Sequence, residues 1–192
     1  MKHLTVLILL LFSVNNLRAQ TDEQIINEIF FDLFGFHEWS KDTLLIVEVK
    51  EKTILFEDSY SSDYIAGFLI PKNILYEWKK NIEEQIFLSE WNEKSLNNNI
   101  EIIGEDTIFV KKPVVKCLSE NEMKKILVKN MVMEHPKLIY SLGNIIFDNS
   151  GEHAIFSLTR VSDSESASGH TVLIKKVFGK WVIITRFGYW MT

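Results

Sequence analysis

One cysteine, three prolines and eight glycines are spread through 192 residues. The lone thiol, Cys117, forms no internal disulfide, so a disulfide framework is excluded and stability has to come from a core. So few prolines and glycines, with no tract of either, exclude a collagen-like chain and a flexible inter-domain linker. The nearest approach to a linker is Asn97-Asn98-Asn99, which reads as a turn. No repeat or low-complexity tract is present, and one domain is expected over residues 20–192. No apolar run approaches the roughly 20 residues that cross a bilayer. Positive charge is short as well: 21 Lys and Arg stand against 26 Asp and Glu, a net charge of −5. With that balance, and no basic cluster interleaved with aromatics, the expected partners do not include nucleic acid.

What is present begins with a secretory signature. Lys2 and His3 precede an apolar stretch, Leu4–Phe12, broken only by Thr5. A polar stretch to Arg18 follows, then Ala19, whose small side chain suits signal peptidase. Residues 1–19 read as a cleaved signal peptide cut near Ala19, with Leu17 a poor match to the small residue wanted two positions earlier. Cleavage removes Lys2 and Arg18 and no acid, which moves the net charge to −7. No cysteine follows the run to carry a lipid, so no stable membrane anchor is expected afterwards. The expected location is a bacterial periplasm or the exterior.

The composition, 46% hydrophobic and 12% aromatic, is that of a chain with a core. Thr21 precedes Asp22 and Glu23 as an N-cap, and Ile25, Ile26, Ile29, Phe30, Leu33 and Phe34 recur on one helical face up to Gly35. Strands are expected at Leu44–Lys50, Lys52–Glu57 and Ile65–Ile70, and a helix after Pro71 over Lys72–Gln85, with Ile74, Leu75, Trp78 and Ile82 inward. Short strands follow near Ile100–Ile103 and Thr107–Val110. Ser119 and Glu122 have capping-box spacing for a third helix to about Val132, with Met123, Ile126, Leu127 and Met131 buried. The closing segment turns at Asp148-Asn149-Ser150-Gly151 and then reads as strands His153–Val161, Gly169–Val177 and Trp181–Gly188, the last two joined through Phe178-Gly179-Lys180. With no alternation of strand and helix, the pattern predicts an α+β fold: three helices and a C-terminal antiparallel β-meander, a single layer of sheet packed on helices.

Chemistry is thinly marked. The stretch VSDSESASGH, residues 161–170, gathers Asp163, four serines and His170, the residue types of nucleophilic hydrolysis. Those residues are also what a solvated hairpin end requires, and no G-x-S-x-G holds a serine on a rigid turn. The hairpin is the preferred reading. Cys117 lies just ahead of the third helix, whose N-terminus would lower a thiol pKa, whereas a buried cysteine is inert. Cys117 and His170 are the catalytic candidates. Glu134-His135 and His37-Glu38 place adjacent residues on opposite faces of an extended chain, no H-E-x-x-H or H-x-H occurs, and neither a metal site nor a cofactor is expected. The strand starts at His153 and His170 should lie at opposite ends of a hairpin. Acid pairs such as Glu57-Asp58 and Glu105-Asp106 have the composition of turns. Tyr189-Trp190, placed past the last strand, is a candidate binding element, since aromatics anchor interfaces.

The segments IIFDNSGEHAIFSLTRV and TVLIKKVFGKWVIITRFGYW, about 50 of the 192 residues with the loop between, resemble the closing segment of secreted bacterial proteins that carry no assigned function. Those share the turn, a strand with an early alanine, a gap, and a Gly-Lys-Trp hairpin. The ending Gly-Lys-Trp-Val-Ile is also similar to NTF2-like domains, in which a curved sheet wraps helices and encloses a pocket; here strands and a helix intervene between the first and last helices. Neither resemblance implies catalytic residues. The expected function is a non-enzymatic binding or interaction protein of the cell envelope, with a protein or small-molecule partner. The alternatives are a hydrolase assembled from distant residues, using Cys117 or a loop serine with a histidine, and an NTF2-like pocket for a small ligand.

Overall fold

The computed structural model describes residues 20–34, 43–53, 72–84, 89–97, 102–103, 109–110 and 113–192. The expected signal peptide, Gly35, the strands at 54–57 and 65–70, and Glu57-Asp58 and Glu105-Asp106 lie outside these residues. The fold is α+β, a mostly antiparallel sheet with helices. Five helices are described where three were expected: α1 (Asp22–Glu28), α2 (Phe30–Phe34), α3 (Lys72–Glu83), α4 (Glu93–Leu96) and α5 (Glu120–Asn130). The first expected helix is interrupted at Ile29, though its hydrogen bonds continue from Ile29 N–H to Ile25 and from Leu33 N–H to Ile29. The single turn of α4 is too short to show periodicity; Asn92 caps it through its side chain.

Among the described residues the main sheet has seven strands: β1 (Leu44–Val47), β4 (Val115–Leu118), β5 (Ile139–Leu142), β6 (Ile146–Phe147), β7 (His153–Val161), β8 (Ala167–Val177) and β9 (Lys180–Met191). Their order is β4-β1-β5-β7-β8-β9, with β6 beside the start of β7. A separate two-stranded ladder joins β2 (Ile102–Ile103) to β3 (Phe109–Val110). The antiparallel meander β7–β8–β9 is present, and β9 is longer than the sequence indicates. The first half departs from the expectation. β1 runs parallel to both β4 and β5. Thus β4, α5 and β5 form a strand–helix–strand crossover with β1 inserted between its strands. Sequence reading misses it because β4 and β5 have four residues each, and all four of β5 are buried, which removes the alternation that marks a half-exposed strand.

Helices cover both faces. On one, Leu44, Ile46, Tyr140, Leu142, Leu158, Val172 and Ile174 pack against Ile25, Ile26, Ile29, Phe30, Leu33 and Phe34 of the α1–α2 segment and Leu96 of α4. On the other, Trp78 of α3 meets Ile155, Leu173 and Phe187, while Met123, Ile126 and Leu127 of α5 meet Leu45 and Ile139. The capping box at Ser119 and Glu122 forms as expected, but Met131 is 60% exposed, one turn beyond the part of α5 that touches the sheet.

The α1–α2 segment is fastened at three points. Near its start, Lys50, itself buried, donates to Asp22 at 3.0 Å, lies 3.6 Å from Glu23 and stacks its ammonium 4.3 Å from the Trp91 ring. At the end of α1, Glu28 accepts the backbone N–H of Trp181 at 2.9 Å. At the far end, Arg186 on β9 donates to the backbone carbonyls of Asp32 and Leu33.

The β8–β9 turn comprises Phe178 and Gly179, since Val177 pairs with Lys180. Both turn residues have positive φ, 49° and 82°. Glycine adopts this freely; for phenylalanine the left-handed region costs about 1 kcal/mol or more.

Removing the cation of the helix clamp leaves two carboxylates without their partner. Lys50→Ala is therefore expected to cost about 3 kcal/mol in urea unfolding. A loss under about 1 kcal/mol would show that the ion pairs do not hold the segment.

Candidate ligand-binding site

A cavity of about 630 Å³ lies beside the end of α2, against β5, β7, β8 and β9. Leu33 and Phe34 form its helical wall, and Tyr140 on β5 and Leu158 on β7 its floor. The Tyr140 ring meets Phe34 edge-on at 5.1 Å. Arg160, Ser168 and His170 supply the polar side. Register explains their convergence: Arg160 is paired with Tyr140 on one side and Ser168 on the other, and Leu158 is paired with His170, so these side chains share one face. Tyr189, Trp190 and Met191 close the remaining side from β9.

Gly169 makes room for this edge. It pairs with Trp190, and a Cβ at Gly169 would fall 2.6 Å from the indole Nε1. A larger residue would push the tryptophan away, so the small residue in the S-A-S-G-H stretch serves packing. The register also shifts between Gly169 and Thr171, a bulge that re-aims the β9 residues next to His170. Tyr189 then lies 5.1 Å from the His170 ring, tilted by 35°.

The electrostatics are one-sided. Burial, reinforced by the Arg186 and Arg160 cations, lowers the His170 pKa from the ordinary 6.5 to about 4. The imidazole is therefore neutral near pH 7. Its buried Nε2 makes no hydrogen bond among the described residues. Among the described residues the lining holds one formal cation, Arg160, and no carboxylate. A neutral imidazole offers one donor and one acceptor, and the guanidinium favours an anion.

The sequence candidates fall out as follows. His170 reaches the cavity with Ser168, two residues away on the same strand and face. A serine hydrolase needs an acid to orient the imidazole, and among the described residues the charges acting on His170 are both arginines. The turn before them, Ser162–Ser166, ends the β7–β8 hairpin: Asp163 accepts the Glu165 N–H at 2.9 Å, and Ser162 donates to Asp163 at 3.1 Å. Cys117 lies on β4, not in the cavity. Burial, followed by the charges of Glu93, Glu48 and Glu23, pushes its thiol up to about 12, the reverse of helix-terminal activation. Its backbone N–H is spent on Glu93 at 2.8 Å. Tyr189 and Trp190 are not past the last strand; they are part of β9, with Tyr189 exposed and Trp190 half-buried at the cavity rim.

His153 is separated from His170 along the hairpin, paired with Lys175 while His170 pairs with Leu158. Its Nδ1 lies 3.1 Å from buried Asp148, whose carboxylate also takes the Ser150 hydroxyl and the backbone N–H groups of Glu152 and His153. That cluster shapes the turn before β7. His135 is exposed, His37 and Glu38 lie outside the described residues, and among the described residues no three metal-ligating side chains come together. Sequence reasoning missed Arg160, Tyr140 and the Leu33–Phe34 wall. Nothing local marks Arg160 in the sequence; its place at the cavity follows from its pairing with Ser168.

No family model, curated protein or solved structure matches the chain.

Two outcomes check this geometry. Because the His170 pKa is lowered on folding, its neutral form contributes stability that is complete above about pH 6.5, declines as the pH falls toward about 4 and is lost below that. Urea midpoints at pH 7.5 and pH 5 should therefore diverge more for the native chain than for His170→Asn; equal divergence would contradict burial of a neutral imidazole. Iodoacetamide should alkylate Cys117 in the folded chain far more slowly than free cysteine at pH 8, and alkylation at the free rate would contradict a protonated thiol.

Proposed function

We propose that the protein is a non-enzymatic binding protein of the bacterial cell envelope, exported by its N-terminal signal peptide, whose cavity takes a small amphiphile with an apolar body and an anionic head. The cavity carries the proposal. Its volume lies within the roughly 300–1,000 Å³ of small-molecule sites. Leu33, Phe34, Tyr140 and Leu158 suit the apolar body. Arg160 suits a carboxylate or comparable anion, with Ser168 and neutral His170 as hydrogen-bonding neighbours. The NTF2-like expectation of a pocket between helix and sheet joins this reading, as the position of the cavity under the end of α2 supports it.

The test is thermal unfolding of the chain from Gln20 onward with medium-chain and aromatic carboxylates, each paired with its uncharged alcohol. A ligand at about 100 times its Kd adds about 2.7 kcal/mol, a rise in Tm on the order of 5–10 °C for a domain of this size. Arg160→Gln should weaken the carboxylates about tenfold and leave the alcohols unchanged. Ser168→Phe, which fills the cavity from its polar side, should abolish both shifts. Shifts that survive Ser168→Phe, or a preference for cations, would contradict the proposal.

A further inference from the structure

We propose that the tip of the β8–β9 hairpin is a reversible contact with an anionic lipid surface, in which Phe178 inserts among the acyl chains and Lys175, Lys176 and Lys180 meet the headgroups. The proposal does not rest on the cavity. Phe178 is fully exposed, with no side-chain packing to justify an aromatic there. It also occupies a backbone conformation that resists it. A two-residue turn with positive φ at both positions favours Asn-Gly, and here the first position is Phe at φ 49°. Neither core packing nor turn geometry accounts for the residue, which leaves a contact outside the chain.

The surroundings identify the partner. The last β7–β8 pair is His153 with Lys175, whereas β8 and β9 continue through Lys176–Trp181 and Val177–Lys180. Because the Lys176 N–H is also bonded to the chain just before β7, the turn overhangs the sheet by one residue pair, Val177–Lys180. Val177 beside it is exposed, adding apolar surface. Lys176 and Lys180 are exposed and Lys175 half-buried, with the Lys176 ammonium 5.8 Å from the Trp181 ring. Three lysines within six residues stand out in a chain of net charge −5. Two acids lie one residue pair behind Val177–Lys180, level with Lys176 and Trp181: Glu28 accepts the Trp181 N–H, and the Glu152 backbone carbonyl accepts the Lys176 N–H. A specific protein interface needs an extended complementary face, on the order of 800 Å² per partner. A projecting aromatic ringed by lysines needs only a surface that accepts apolar insertion and carries negative charge, and an anionic bilayer does both.

The experiment is sedimentation of the chain from Gln20 onward, which holds every element of the described fold, with vesicles of phosphatidylcholine alone or with about one-third phosphatidylglycerol. The anionic vesicles should bind roughly thirty-fold more tightly, the contribution of two exposed lysines, and high salt should erase the difference. Phe178→Asn should weaken binding about tenfold or more, with an unchanged or higher Tm because Asn accepts the positive φ, which separates loss of contact from loss of fold. Lys176→Gln with Lys180→Gln should remove the anionic preference. Absent binding, equal binding to both vesicle types, or full retention by Phe178→Asn would overturn the proposal.

Discussion

The structure depends on how the first fifteen described residues are laid against the sheet. Six apolar side chains from Ile25 to Phe34 present one face, and the strands answer with Leu44, Ile46, Tyr140, Leu142, Leu158 and Val172. Apolar burial is non-directional and would tolerate sliding. The polar fastenings remove that freedom. Lys50 holds the start through Asp22 and Glu23, Glu28 catches the backbone of β9, and Arg186 takes two carbonyls at the end of α2. Each joins parts of the chain far apart in sequence, so the segment has one position along the strands.

The cavity follows from that position. The segment reaches Leu33 and Phe34, while the sheet face runs on through Arg160, Ser168 and His170. A protein interior is close-packed, so a cavity with an apolar floor beside a helix end is a feature with consequences. The same arginine placement that fixes α2 also helps lower the His170 pKa, because Arg186 and Arg160 disfavour a third positive charge there. Fold and site electrostatics thus share a residue. The opposite end of the meander behaves differently: there the strands outrun their neighbours and end in a turn whose residue type conflicts with its backbone.

Local signals in the sequence were legible where the chemistry is local. The caps at Thr21 and Ser119 form with their partner side chains three residues on, and the α1–α2 stripe is buried residue for residue. The long strands of the meander show because they are long and flanked by turn residues. The parallel pairing of β1 was not legible, since four-residue strands are too short to show a period and β5 is buried on both faces. The site was half legible. His170, Tyr189 and Trp190 attract notice by residue type, yet their meeting depends on a bulge and a register that only the pairing defines. Cys117 shows the limit of proximity in sequence: two residues from a helix cap, it is governed by burial and by Glu93 from another element.

The central claim is that the cavity beside the end of α2 holds a ligand. It is tested most directly by following backbone amide resonances of the isotope-labelled chain while an amphiphilic carboxylate is titrated in. The account predicts saturable shifts concentrated at Leu33–Phe34, Arg160, Ser168–His170 and Tyr189–Met191. Shifts centred elsewhere, or none at saturating ligand, would contradict it.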